Sequence, residues 1–225
     1  MKKLPQNVLF LGLVSHFNDI SSEMVYPLIP LFLTSVLNAP VGVLGVIEGI
    51  AEATASLVKV FSGFLSDKLG KRKPLTVLGY SLSSFSKPIL ALAVKPYHVL
   101  LVRFSDRFGK GIRTAPRDAL IAQSAGKIGL GRIFGFHRAL DTFGASIGPL
   151  IAFWLLKNTN NNFRFVFLTS FLASIIALCF LILKVKEVKK KKIEGEKFVF
   201  DFKKLPPVFY LFVCSMTVFT LGNSS

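Results

Sequence analysis

Acidic residues occur in pairs at helical spacing within apolar segments near the start of the chain. Asp19 and Glu23 are four residues apart, as are Glu48 and Glu52, so each pair occupies one face of a helix. A carboxylic acid in a closing, water-poor cavity can hold a proton at neutral pH, which is the chemistry of proton coupling. The first pair is the favoured candidate for that role. Lys59, seven residues beyond Glu52, is a possible ionic partner for it.

Basic residues form a second pattern in a later apolar segment, where they recur every three or four residues and predict a cationic helix face. Charges at membrane depth are costly and usually face a cavity or an ionic partner. Two interpretations therefore remain open: buried ion pairs with acidic residues of other segments, or a binding site for a substrate. The basic residues are Arg103, Arg107, Lys110, Arg113 and Arg117.

A third cluster combines His137, Arg138 and Asp141 within about one turn of a helix. His137 could relay protons because imidazole titrates near neutral pH, although a position close to the cytoplasmic end of its segment disfavours that role. Arg138 and Asp141 are candidates for substrate binding or proton coupling.

Motifs of enzymes are missing from the sequence. It contains no G-x-S-x-G, no H-E-x-x-H and no phosphate-binding Walker loop. Cys179 and Cys214 both lie inside apolar runs, so neither a disulfide framework nor a metal site is indicated. We expect no enzymatic activity, no cofactor and no metal.

The composition indicates that apolar helices in a membrane position these residues. Of 225 residues, 52% are hydrophobic, and the mean hydropathy is +0.56. Repeated apolar runs near 20 residues match the thickness of a bilayer. The net charge of +16 belongs to no basic soluble module, so nucleic acid is not an expected partner. The predicted spans are roughly Val8–Leu37, Val41–Leu65, Leu75–Val94, Tyr97–Ala122, Ile133–Leu156 and Phe163–Leu183, with a seventh beginning at Pro207.

The distribution of lysine and arginine predicts the orientation of these spans. One side carries the basic N-terminus, the basic loops after the second and fourth spans, and the Lys-rich segment after the sixth. The opposite side carries only Lys95, Lys157 and Arg164. Because cytoplasmic loops are enriched in Lys and Arg, the N-terminus is predicted to be cytoplasmic, in a multi-pass protein of the plasma membrane.

The loop between the second and third spans carries the most distinctive motif. Gly63 allows close approach of a neighbouring helix, and Gly70 is a helix stop. Asp67 lies near the C-terminal end of a helix, where a negative charge is unfavourable unless a cation is nearby. Lys71 and Arg72 make the loop strongly basic.

The stretch Gly63-x-Leu-Ser-Asp67-x-x-Gly70-Lys71-Arg72-Lys resembles the signature between helices 2 and 3 of the major facilitator superfamily. The resemblance implies an all-α membrane protein, with a six-helix N-terminal bundle in residues 1–183, a Lys-rich cytoplasmic linker in 184–206 and the start of a seventh helix in 207–225. It also implies a twelve-helix carrier in two halves that works by alternating access. We therefore expect a fragment of a protein near twice this length, whose partner is the missing C-terminal half.

A second motif of the superfamily occurs in the fifth span. Gly135, Gly144 and Gly148-Pro149 resemble its antiporter signature, although the usual closing Gly-Gly is replaced by Ala-Phe. These glycines are predicted to provide patches for close helix contact. The resemblance favours export or exchange.

The fourth span also resembles its counterpart in the superfamily. Arg103 matches an arginine implicated there in handling substrate or protons, whereas Arg107 stands where the family commonly has glycine.

Together these features predict a proton-coupled antiporter or exporter of a small molecule, with the substrate, protons and the lipid bilayer as partners. One alternative is an uptake or exchange carrier for an organic anion bound by the arginines of the fourth span. Another is a membrane scaffold or receptor without transport.

Overall fold

The computed structural model describes residues 4–126, 129–188 and 206–222. These residues form an all-α structure without strands, as predicted. Its long helices are α1 Gln6–Val25, α2 Val41–Leu69, α3 Lys73–Ala91, α4 Pro96–Ser124, α5 Leu130–Asn158, α6 Phe163–Leu183 and α7 Pro207–Gly222.

Prolines end the first helix within the first predicted span. α1 stops at Val25 and is followed by a 3-10 turn at Tyr26–Leu28, a single α turn and a π turn at Phe32–Val36. Pro27 and Pro30 lie in these turns, and neither has a backbone N–H to continue the helical hydrogen bonding. The regular α-helix of the first predicted span is therefore interrupted after Val25, at a position that we call the break after α1.

The turn between α2 and α3 also follows the sequence prediction. Gly70 adopts the left-handed conformation with φ of 62° and donates its N–H to the carbonyl of Ser66. This is a common way to end a helix, and glycine adopts it without the steric cost of a Cβ. Pro74 lies in the first turn of α3, where its missing N–H costs no helical hydrogen bond.

The chain falls into two compact units, Met1–Lys190 and Lys191–Ser225. In the first unit, α1 packs against α5 and α6, α2 packs against α4, and α3 packs against both α4 and α6. The second unit contains α7, whose stretch Pro207–Thr217 is apolar. Most of the predicted linker, 189–205, lies outside the described residues, so its boundaries stay a prediction.

Two apolar cores occupy opposite ends of the first unit. One contains Phe32 from the turns after α1 and Phe167 from α6. The other contains Leu11 from α1, Leu120 from α4 and Leu181 from α6. Since the acidic residues of α1 lie between these ends, the apolar packing frames a polar middle layer.

Three of the described helices are long and apolar enough to cross a membrane by themselves: α2, α5 and α6. Large apolar side chains such as Val60, Phe61 and Phe153 are mostly exposed on their surfaces, as expected for contact with lipid. α1, α3 and α4 carry more polar and charged side chains, which they turn toward a cavity. The chain is therefore an integral, multi-pass membrane protein.

Candidate functional site

A cavity of about 130 Å³ lies between α1, α3 and α4. Its wall combines three acidic and five basic side chains with the ring of Tyr26. Charges are rarely gathered inside a membrane protein without a functional reason, so this cavity is the candidate site. The charged residues that line it are Asp19, Glu23, Lys87, Arg103, Asp106, Arg107, Lys110 and Arg113.

The guanidinium of Arg103 is held by Glu48 from α2. Nε donates to Oε1 at 2.9 Å and Nη2 donates to Oε2 at 2.6 Å, which is the two-pronged geometry that suits an arginine and a carboxylate. A third contact joins Arg103 to Asp106 at 3.5 Å. The Arg103 side chain is only 6% exposed, so these carboxylates are the counter-ions of a buried guanidinium, and Glu48 joins α2 to α4.

Arg107 forms a second link between the same helices. Its Nε lies 3.3 Å from Oε2 of Glu52. The predicted pairing of Glu52 with Lys59 is therefore wrong: Glu52 points toward α4, whereas Lys59 is exposed and lies two helical turns further along α2. The ring of Tyr26, in the break after α1, packs against both arginines. Its centre lies 4.9 Å from Cζ of Arg103 and 5.5 Å from Cζ of Arg107.

Arg113 is held by α3. Its Nη1 donates to the hydroxyl of Ser83 and to the carbonyl of Gly79, the latter at 3.4 Å. The guanidinium also lies 4.5 Å from the centre of the Tyr80 ring. Gly79 permits this close packing, because a Cβ there would lie 2.5 Å from the carbonyl oxygen of Gly109 on α4.

Asp19 and Glu23 differ from the other acidic residues of the site. Both are half-buried and line the cavity, and neither forms an ion pair with a basic side chain in the described residues. The one hydrogen bond to Asp19 is a long one of 3.4 Å from the amide of Asn18. The two sets of acidic residues therefore have different environments. Glu48 and Glu52 form ion pairs with arginines, whereas Asp19 and Glu23 face the cavity.

Lys87 is a residue of the site that the sequence analysis missed. It lies on α3, is only 4% exposed, and lines the cavity. No group in the described part of the chain accepts a hydrogen bond from its amine. The sequence could have indicated Lys87, because it is a single lysine within an apolar span and an ionisable residue there is a functional candidate by default.

His137 belongs to a buried polar network next to the cavity. The hydroxyl of Ser15 lies 3.0 Å from His137 Nε2 and 3.2 Å from the hydroxyl of Tyr80, and it accepts a hydrogen bond of 3.3 Å from Arg117. This network joins α1, α3, α4 and α5 below the cavity. Its members are nearly inaccessible, so a structural role accounts for them fully.

The other two members of the predicted α5 cluster have different environments. Asp141 is buried and lies 3.4 Å from Nδ1 of His137. Arg138 lies 4.0 Å from the same carboxylate, but its side chain is 82% exposed. Neither residue lines the cavity. Their assignment to substrate or proton handling stays a prediction without geometric support.

The loop motif between α2 and α3 forms a compact set of contacts. Arg72 pairs with Asp67 at 2.9 Å, which supplies the cation that a carboxylate at a helix C-terminus needs, and it also donates to the carbonyl of Ala119 on α4 at 3.1 Å. The backbone N–H groups of Arg72 and Lys73 donate to the carboxylate of Glu187, at 3.0 and 2.8 Å. Glu187 therefore caps the N-terminus of α3 from the segment after α6, an interaction that spacing alone did not indicate.

Two further residues of this motif have simpler environments. A Cβ at Gly63 would lie 3.4 Å from Cβ of Ala115, so α2 and α4 are in van der Waals contact there. Lys71 is exposed at the tip of the loop.

The glycine motif of α5 mediates close packing at two of its three glycines. A Cβ at Gly144 or at Gly148, the residue before Pro149, would lie 2.5 or 2.7 Å from a backbone carbonyl oxygen of α1. At Gly135 no heavy atom lies within 4 Å of that position in the described residues. The predicted close contact is wrong for Gly135, because it lies near the start of α5, where the surface is open.

Comparison with known proteins places this bundle in a family. The model of the Major Facilitator Superfamily matches residues 11–224. The chain belongs to that superfamily.

Relatives and solved structures agree with this assignment. An uncharacterized MFS-type transporter of Methanocaldococcus jannaschii is 36% identical over 100% of this chain, which covers 56% of that relative. The multidrug resistance protein MdtH of Photorhabdus laumondii subsp. laumondii is 30% identical over 64% of the chain and 35% of its own length. The crystal structure of a POT family transporter is similar to this chain with a TM-score of 0.74 and 15% sequence identity. The match covers 98% of this chain and 49% of the transporter chain. The chain thus spans about a third to just over half of these proteins.

Proposed function

We propose that the chain is the N-terminal half of a secondary active transporter, which moves a small molecule across the plasma membrane by alternating access. The charged cavity between α1, α3 and α4 is the observation that carries this proposal. In carriers of this type the substrate site lies near the midplane, at the interface of two related halves. The relatives described as transporters support the same function. The second half would complete the cavity.

Protons are the proposed coupling ion, and Asp19 and Glu23 are the proposed carriers. Each faces the cavity and forms no ion pair with the part of the chain that the structure describes, so a proton can bind or leave without breaking one there. Both lie just before the break at Tyr26, where the helix can change its geometry as the cavity opens and closes. Glu48 and Glu52 are poorer candidates because each already forms an ion pair with an arginine, which a proton would have to break.

Export in exchange for protons is the direction that we propose first. The multidrug resistance relatives and the glycines of α5 support it. The second candidate is uptake or exchange of an organic anion, which the five basic side chains of the cavity wall favour. The loop charges support a cytoplasmic N-terminus in either case.

Proton movement in liposomes tests the proposal. Liposomes that contain the chain together with a co-expressed C-terminal six-helix half, and a pH-sensitive dye inside, would be challenged with cationic, neutral and anionic compounds. A carrier moves protons only when its substrate is added, and Asp19→Asn should abolish that movement. A protein that binds compounds without any proton movement or uptake would be a scaffold or receptor.

A further inference from the structure

We propose that the cavity binds the carboxylate of a small organic anion, and that the amine of Lys87 is its contact. This inference rests on the proposed carrier function and names the substrate class of the same site. It starts from one buried, charged group that forms neither a hydrogen bond nor an ion pair with the described residues.

A buried ammonium is costly unless something compensates for its lost hydration. Lys87 is 4% exposed, and no atom of the described residues accepts a hydrogen bond from its Nζ. Asp19 and Asp106 line the same cavity, yet neither forms an ion pair with it in this part of the chain. An ammonium carries three donors, so Lys87 has its whole hydrogen-bonding capacity available to a ligand.

The arginines of the cavity wall are already engaged. Arg103 binds Glu48 with two hydrogen bonds, Arg107 is paired with Glu52, and Arg113 donates to Ser83. Arg103 and Arg113 are hydrogen-bonded to protein groups, whereas Arg107 has an ion pair but no hydrogen bond from its Nε in the described residues. Lys87 differs from all three because it has neither an ion pair nor a hydrogen bond in that part of the chain. The binding of an anion by the arginines of the fourth span stays an untested prediction, and Lys87 is proposed as a contact that the sequence analysis did not name.

Lys110 is the remaining basic residue of the wall, and it is exposed, whereas Lys87 is enclosed. An anion that reaches Lys87 meets a charge that bulk water hydrates least, and an ion pair is strongest in such a place. Lys87 is therefore the residue at which a negative group gains most.

Benzoate and benzamide are suitable probes because they have the same shape and differ in charge. The thermal unfolding midpoint of the purified chain in detergent would be measured with increasing amounts of each compound, since a ligand of the folded state raises Tm. We expect benzoate to raise Tm and benzamide to have little effect. Lys87→Met should weaken the apparent affinity for benzoate by about tenfold or more, as expected for loss of a charged hydrogen bond.

Matched variants separate this role from a structural one. Since Lys87 buries a charge without a partner, Lys87→Met should fold at least as stably as the wild type in the absence of benzoate. Lys87→Gln gives a second neutral variant of similar length. Lys59→Met, on the exposed face of α2, should respond to benzoate like the wild type.

Three results would overturn the inference: equal responses to benzoate and benzamide, benzoate binding unchanged in both Lys87 variants, or no response of the wild type to benzoate. The proposed function is tested independently by proton movement. Lys87-dependent binding of benzoate in a protein that moves neither protons nor substrate would contradict the carrier. Proton-coupled transport of a neutral compound without benzoate binding would contradict only the anion site.

Discussion

Arg103 of α4 and Glu48 of α2 form a two-pronged ion pair, with hydrogen bonds of 2.9 and 2.6 Å. The arginine is buried, whereas the glutamate side chain is 25% exposed. The pair joins α2 to α4, as the ion pair of Arg107 and Glu52 also does. Within the described residues it leaves Asp19 and Glu23 as the cavity carboxylates of α1 that form no ion pair.

Removing one partner of this pair should destabilise the protein. Arg103→Leu leaves Glu48 partly buried without its counter-ion, and we expect a loss of roughly 3 kcal/mol, at the lower end of the range for buried pairs. The double variant Arg103→Leu/Glu48→Leu should regain most of that loss, because Glu48 is no longer left without its counter-ion. Unfolding in detergent measures both effects, and Arg138→Leu, at an exposed arginine, is the control with little effect. Strictly additive losses in the double variant would show that the two side chains are not coupled.

Glu23→Gln should abolish proton coupling while the protein stays folded. The substitution removes a titratable group and keeps its volume, and no ion pair to Glu23 is lost in the described residues. The measurement is substrate accumulation in vesicles driven by a pH gradient, with Tm as the control for folding. If the variant accumulates substrate against the gradient like the wild type, Glu23 has a structural role and the coupling assignment is wrong.

Local features of the fold were predictable because their causes are local. Pro27 and Gly70 impose backbone constraints whatever surrounds them, so the break after α1 and the stop of α2 followed from the sequence. The partner of Arg103 could not be predicted from the sequence in this way. Glu48 is 55 residues away, and their contact depends on how α2 and α4 pack, which helical spacing does not determine.

Lys87 was visible in the sequence as a charged residue in an apolar span, but no repeated pattern drew attention to it. The arginines of α4 repeat and form a pattern, whereas Lys87 is a single charge beside Pro88. Its lack of a partner is a property of the assembled bundle, because it depends on where the carboxylates of α1 and α4 point.

The glycines of α5 should differ in their tolerance of a side chain. Gly144→Ala should lower stability by about 1–3 kcal/mol, since its Cβ would lie 2.5 Å from the carbonyl oxygen of His16. Gly135→Ala is the matched control, because the space around that position is open. Thermal unfolding of the two variants provides the comparison. Because alanine favours the helix more than glycine does, a loss at Gly144 alone indicates steric conflict with α1. Equal losses in the two variants would mean that α1–α5 contact does not govern these positions.

Labelling of single cysteines should establish the orientation in the membrane. After Cys179 and Cys214 are replaced by serine, Lys71→Cys should react only from the cytoplasm, and Val41→Cys and Asn158→Cys only from outside. These two outer positions avoid Asn38 and Asn160, whose positive φ of 52° would strain a cysteine. The expected side of the Lys-rich linker can be tested at Lys190, which lies outside the described residues. If position 71 reacts with a membrane-impermeant reagent in intact cells, the predicted orientation is wrong.

Glu187 should stabilise the cytoplasmic end of the bundle through the backbone of the loop motif. Its carboxylate accepts hydrogen bonds from the N–H groups of Arg72 and Lys73, at the N-terminus of α3, where the helix dipole favours a negative charge. Glu187→Ala leaves these N–H groups without that acceptor, so we expect a loss of about 1 kcal/mol and faster amide hydrogen exchange in the first turn of α3. Glu187→Gln, which keeps an acceptor oxygen but loses the charge, should fall between the alanine variant and the wild type. Exchange in the first turn of α4 is the internal reference, because Glu187 does not contact that turn. If exchange rises equally in both helices, the substitution loosens the whole bundle, and the cap is not a local constraint on the loop.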